Sequence, residues 1–203
     1  MTSQRDRRRC RDDDGGIIAE MALFAPLLLV LAIGILEFGM AWRDSITVSN
    51  TLRAGARVGS NLAEQRLADY STIESVRAAV ADIPNSQIDK LVTYDAGINT
   101  DGSVPKACTR LTSGGLSGQC NVYSSAQLQN LAESDFTGTT SCTGSSPDRF
   151  WCPVTDRSSS GSNPDNFGVW ISVQHDYLTG VFPGDGITIT DSAVMRLEPQ
   201  PPE

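Results

Sequence analysis

Three residues near the N-terminus have types and spacing that could act together: Gly15, Gly16 and Glu20, in the run RDDDGGIIAEMALFAPLLL (Arg11 to Leu29). Glu20 stands in an otherwise apolar stretch. An acid at bilayer depth costs about 2.5–3.5 kcal/mol on insertion scales, so it calls for a partner or a job. Hydrolysis of the Gly15–Gly16 bond would create a partner. The new α-amino group at Gly16 would lie one helical turn from Glu20 on the same face, bringing a cation to the carboxylate. The cut would also remove every arginine that precedes it. Without a cut, Glu20 is near enough to the helix start to reach the interface and to favour the positive end of the helix dipole.

Other reactive types are spread thinly. His175 is the single histidine, and no Ser or Cys nucleophile stands in a recognisable motif with it. On a strand, Asp176 would point to the opposite face, so the two neighbours form no dyad. The run DAGINTDG (Asp95 to Gly102) places oxygens at alternate positions, but Lys106 falls where an EF-hand needs its bidentate glutamate, so a strand-end turn is expected. Gly184-Asp185-Gly186 precedes a strand and not a helix, which argues against a phosphate loop. No enzyme signature, cofactor site or metal set emerges.

Cys108, Cys120, Cys142 and Cys152 follow the apolar stretch, whereas Cys10 precedes it. An even set of four beyond a membrane span reads as two disulfides in an oxidising compartment. Neighbour pairing would close Cys108–Cys120 and Cys142–Cys152, although three connectivities are possible. The spacings are not the CxxC pairs of a zinc site. Cys10 would be a reduced cytoplasmic thiol, or would be lost with the leader.

The element that must position Gly16 and Glu20 is a long apolar helix. No charge occurs from Met21 to Leu36, and from Ile17 to Trp42 only Glu20 and Glu37 interrupt the run. Such a helix is about 39 Å long, enough to cross a hydrocarbon core of about 30 Å. Pro26 and Gly34 inside it are tolerated better in a membrane than in water. The run is too long for a cleaved secretory signal and lacks a good small-residue site at its end. Arg5, Arg7, Arg8, Arg9 and Arg11 precede the span more densely than Arg43, Arg53 and Arg57 follow it, which places the N-terminus in the cytoplasm and the remainder outside. Glu37, near the outer interface, is expected to reach toward water. The formal charge of -8 opposes nucleic-acid binding, which needs a basic face.

Gly15, four residues and then Glu20, at the head of an apolar helix, resembles the processing site of type IV prepilins and pseudopilins. The run GGIIAEMALFAPLLLVLAIGILEFG, with Pro26 and the Glu37-Phe38-Gly39 ending, is similar to TadE-like proteins, minor pilins of the tight-adherence (Flp pilus) system. The following NTLRAGARVGS (Asn50 to Ser60) and the final SAVMRLEP (Ser192 to Pro199) resemble that family too. The resemblance implies cleavage after Gly15 by a prepilin peptidase, a membrane aspartyl protease, and subunit assembly guided by Glu20. It implies partnership with other pilins, the pilus assembly machinery and the lipid bilayer. Gly16 is smaller than the usual first mature residue, and Met21 stands where an aromatic is more usual.

Beyond Trp42 the helix should continue, with Ile46, Leu52, Ala56, Gly59 and Leu62 on one surface and Arg53 and Arg57 on a solvated side. Ser71-Thr72-Ile73-Glu74 reads as a capping box opening a second helix, with Ile73, Val76, Val80 and Ile83 as its stripe and Pro84 as its end. Ile88 to Tyr94 reads as a strand. Val169, Ile171, Val173 and Tyr177 share one face of another, and Ile187 to Leu197 returns antiparallel. The expected fold is α+β and pilin-like: a single transmembrane helix, its extracytoplasmic continuation, then a small antiparallel sheet with disulfide-closed loops. The expected organisation is a cytoplasmic leader over 1–15, the span over 16–42 and a helical region over 43–84. A β-rich extracytoplasmic domain over 85–199, with a loop-rich insert about 97–164, and a 200–203 tail complete it. The function expected is that of a non-enzymatic minor pilin or pseudopilin; the alternative is a permanently anchored surface protein with an extracellular binding domain.

Overall fold

The computed structural model describes residues 9–81, 83, 86–160 and 163–199. Arg5, Arg7 and Arg8, Pro84 and the 200–203 tail lie outside the described residues. The chain divides into two compact units at the Trp42–Arg43 bond.

The first unit is helical. Helix α1 runs from Arg9 to Leu62 and includes Pro26. Its apolar part has a mean hydropathy of 2.4 over the richest window and is long and apolar enough to cross a membrane. Ile17, Leu23, Ile35 and Phe38 are all exposed, which in water would be unfavourable and in lipid would not.

The second unit carries the last turns of α1, helix α2 (Ala68–Val80) and a five-stranded sheet. Strands β1 (Ser86–Asp95), β2 (Gly114–Leu116), β3 (Cys120–Ser124), β4 (Asn166–Asp176) and β5 (Gly186–Arg196) lie in the order β2-β3-β1-β4-β5, every pair antiparallel. Short helices α3 (Lys106–Arg110), α4 (Ser125–Asn130) and α5 (Pro153–Asp156) fill the connections. The fold is therefore α+β, with a long apolar N-terminal helix, an antiparallel sheet and two disulfides in the loops.

Strand alternation sends two sets of side chains to two layers. Leu91, Tyr123, Phe167, Val169, Ile171, Val173 and Ile189 pack with Val48, Leu52 and Ala56 of α1 and Ile73, Val76 and Val80 of α2. Val92, Tyr94, Cys120 and Val122 face the other way and meet Cys108 and Leu111. Two glycines permit close approach. A Cβ on Gly59 would come within 2.1 Å of the Phe167 ring, and one on Gly168 within 2.3 Å of the Tyr94 ring.

Several expectations need correction. The second helix starts at Ala68, with Leu67 as an N-cap that makes no side-chain bond. Thr72 is not in a capping box but lies inside the helix, donating from Oγ1 to the Ala68 carbonyl at 2.8 Å. Ile46, expected on the buried surface of α1, is 50 % exposed, while Val48 is fully buried. The stretch expected to be a loop-rich insert supplies two strands, β2 and β3, and β3 pairs with β1 over Lys90↔Ser124 to Tyr94↔Cys120. Tyr177 lies just past the end of β4.

Candidate functional site

The backbone at Gly15 and Gly16 is helical, within α1. Gly16 is exposed, and a Cβ there would meet nothing within 4 Å. Glu20 is also exposed and lies one turn further along. Two consecutive glycines each weaken a helix by about 1 kcal/mol relative to alanine, so α1 is locally weakened here. The α-amine that would pair with Glu20 exists only in a cut chain.

Chemistry-bearing side chains of the second unit converge on Asp69, a fully buried residue in the first turn of α2. Its Oδ2 accepts from Thr93 Oγ1 at 2.8 Å, Asn121 Nδ2 at 3.0 Å and Tyr123 OH at 2.6 Å. Its Oδ1 lies 2.6 Å from Nη2 of Arg157, and neither side chain is exposed. The guanidinium carbon of Arg157 sits 4.1 Å from the Trp151 ring centroid and 4.9 Å from that of Phe167, a cation held against aromatic faces. Arg157 Nη2 also donates to the Trp151 carbonyl at 3.2 Å. Asn121 accepts on Oδ1 from the Phe150 and Trp151 amides at 3.1 and 3.0 Å. One carboxylate thus ties α2, β1, β3 and the segment around residues 150–157 together.

A second acid lies beside this centre. Asp148 is 1 % exposed and accepts from Ser146 Oγ at 2.5 Å. Burial and then the charge of Asp69 push its carboxyl up to about 6, against the Ser146 hydrogen bond. Burial and the same charge hold the Tyr123 hydroxyl well above its ordinary value, so it remains a donor.

His175 does not pair with Asp176. Its Nδ1 lies 2.7 Å from Oδ2 of Asp44, both residues being buried. Further along α1, Ser49 Oγ donates to Asp191 Oδ2 of β5, and the Ser60 carbonyl accepts from the Glu198 amide at 3.0 Å. These contacts lay the helix along β4 and β5, with Asp44 at the end nearest the β4–β5 turn. His175 is therefore part of the seam between α1 and the sheet.

The structure joins Cys108 to Cys120 and Cys142 to Cys152. The first bridge is buried under the outer face of the sheet, and the second closes the loop that carries Ser146, Asp148 and Trp151. In the Asp95 to Gly102 run, Asp95 Oδ1 accepts from the Gly97 amide at 2.7 Å, and Asp101 Oδ1 accepts from the amide and hydroxyl of Ser103 at 3.0 and 2.6 Å. These carboxylates shape turns. Among the described residues no group of three or more His, Cys, Asp or Glu could hold a metal ion.

Sequence reasoning missed Asp69, Arg157 and Asp44. No local signal marked them: Glu64 and Arg66 stand just before Asp69, Asp156 and Ser158 flank Arg157, and Asp44 follows Arg43.

The geometry describes a domain with a buried polar scaffold, joined to an apolar helix that fits a membrane anchor. Residues 15–57 match the family described as TadE-like protein. That segment begins at Gly15 and ends within α1, and over it the chain is similar to the TadE-like family. Ser192–Pro199, which also resembled the family, lies outside the match. No curated protein and no solved structure matches the chain.

Proposed function

We propose that the protein is a minor pilin or pseudopilin in the assembly of a tight-adherence (Flp) pilus, matured by a prepilin peptidase that cuts after Gly15. The observation that carries this reading is the family match, which starts at Gly15 and spans the apolar helix with Glu20. In this reading residues 1–15 are a cytoplasmic leader, residues 16–42 span the membrane and the disulfide-bonded domain lies outside the cytoplasm. Two disulfides suit an oxidising compartment.

The maturation step is hydrolysis of the Gly15–Gly16 amide. Water adds to the carbonyl carbon, the C–N bond breaks, and Gly16 leaves with a free amine. That amine, protonated, faces Glu20 across one turn of its own helix or the Glu20 of an adjacent subunit, which offsets the acid's insertion cost. The other pilins and the assembly machinery then take up the released helix.

N-terminal mass spectrometry of the membrane-derived protein tests this. A mature chain starting at Gly16 is the expected result. Gly15→Leu should retain the leader, and Glu20→Ala should leave cleavage intact while impairing pilus assembly. An intact leader in cells that build normal pili would leave the permanently anchored surface protein as the better reading.

A further inference from the structure

The turn between β4 and β5 is uncharged from Tyr177 through Gly184 (YLTGVFPG), with Asp176 and Asp185 as its shoulders. Leu178 is 57 % exposed and Val181 48 %. The rings of Tyr177 and Phe182 pack on each other with centroids 5.8 Å apart. Leu178 and Val181 add exposed aliphatic surface beside that pair. Gly180 and Gly184, with φ of 61° and 95°, shape the turn.

The position of this tip within the domain is set by Asp44. Asp44 contacts His175, and Tyr177 follows His175 by two residues, a reach of about 7 Å. Asp44 in turn follows the last residue of the apolar segment, Trp42, by two. The Asp44–His175 contact and the short chain on either side of it therefore place the tip at the end of the second unit where Arg43 begins it. At that end a soluble turn would be expected to carry polar residues. Leu and Val flanked by Tyr and Phe instead match the composition of a bilayer interface, where aromatic rings sit at headgroup level.

We propose that the β4–β5 turn is a second membrane contact, with Leu178 and Val181 entering the interfacial region of the bilayer in which α1 is anchored. The inference rests on reading α1 as a membrane anchor. The acidic shoulders stop the turn from going deeper, because Asp176 and Asp185 stay in water. They also select the lipid: the tip carries no cation, so insertion is apolar and does not require anionic headgroups. Depth on the order of 5–10 Å suffices for side chains of this size. With one helix and one turn both held at the interface, the domain has a restricted orientation on the membrane before it joins a filament.

The test uses the full chain reconstituted in phosphatidylcholine vesicles. Val181→Cys is made in a Cys10→Ser background, the other four cysteines being disulfide-bonded, and is labelled with an environment-sensitive fluorophore. Thr100→Cys, beyond the opposite end of the sheet, serves as control; about 34 Å of β4 separates the two ends. The label at position 181 should emit to the blue of that at position 100, and replacing the lipid by phosphatidylcholine brominated at shallow acyl positions should quench it and leave the label at position 100 unchanged. Extraction of the vesicles with alkaline carbonate reads the anchor separately. A protein that resists extraction while position 181 remains unquenched would overturn the turn's membrane contact and spare the anchor. Extraction of the protein would overturn both.

Discussion

Oδ1 of Asp69 lies 2.6 Å from Nη2 of Arg157 across 88 residues of chain, and both side chains are fully buried. An ion pair removed from water depends on further hydrogen bonds to offset the cost of burial. Here Thr93, Asn121 and Tyr123 complete the shell of Asp69, whereas Nε and Nη1 of Arg157 have no hydrogen-bond partner among the described residues and the cation rests against Trp151 and Phe167. Removing one partner leaves the other charge stranded. Asp69→Ala and Arg157→Ala should each destabilise the domain by about 3–5 kcal/mol. The double variant should lose clearly less than the sum of the two. Urea unfolding of the detergent-solubilised chain, followed by circular dichroism, reads the cycle. Strictly additive losses would mean that the pair does not act as a unit.

Asp148 sets a pH dependence of definite sign. Its carboxyl is raised from the ordinary 3.8 to about 6 by burial and by Asp69, so the folded state binds the proton more tightly than the unfolded one. The contribution to stability is then fully present below about pH 4 and is lost as pH rises through about 6. Other carboxyl groups titrate over the same range, so the dependence must be isolated by difference. Asp148→Asn should be more stable than the parent at pH 8 and lose that advantage on acidification to about pH 4. Parallel urea curves at both pH values measure the difference. An unchanged gap would place the titration elsewhere.

Much of the fold could be read from spacing, because long apolar runs and alternating strands carry their own signals. The span, the α1 continuation, β1, β4 and β5 belong to this group. β3 did not show because Asn121 and Tyr123 face the helices while Cys120 and Val122 face the opposite layer, and all four are buried. Burial on both faces erases alternation. The start of α2 was displaced because Ser71 and Glu74 imitate a capping box, whereas tertiary contacts begin the helix at Ala68. Of the candidate site, Gly15, Gly16 and Glu20 lie within six residues of one another, so their proposed pairing is a local reading. The Asp69 centre draws its members from residues 69 to 157, and the partner of His175 is the distant Asp44. Local pattern cannot report either of these.

The Cys142–Cys152 bridge should matter most to the Asp69 centre. Its loop delivers the Phe150 and Trp151 amides to Asn121 Oδ1 and the Trp151 carbonyl to Asn121 Nδ2. Replacing both cysteines by serine should cost about 2–4 kcal/mol. It should also speed hydrogen exchange at Phe150 and Trp151, read by mass spectrometry. The corresponding Cys108 and Cys120 variant should be destabilised by a similar amount, but its effect should centre on the opposite face of the sheet. Equal exchange at Phe150 and Trp151 in both variants would show that the bridges act only through chain entropy.

Gly59 and Gly16 make a controlled comparison within one helix. A Cβ at position 59 would fall 2.1 Å from Phe167 Cε1 and 2.7 Å from Thr72 Oγ1, one at position 55 would fall 2.7 Å from Val76 Cγ2, and one at position 16 would meet nothing within 4 Å. Alanine is favoured over glycine in a helix by about 1 kcal/mol at each place. At position 59 that gain is outweighed, because Phe167 is stacked on Trp151 at 5.8 Å and cannot move without disturbing the rings around Arg157. Gly59→Ala should therefore cost about 1–3 kcal/mol. Gly55→Ala, which presses on one methyl group, should cost less. Gly16→Ala should leave the unfolding midpoint of the domain where it was. Urea midpoints of the three variants, measured side by side, give the order. A Gly59→Ala protein as stable as its parent would mean that α1 does not approach β4 as closely as Phe167 indicates.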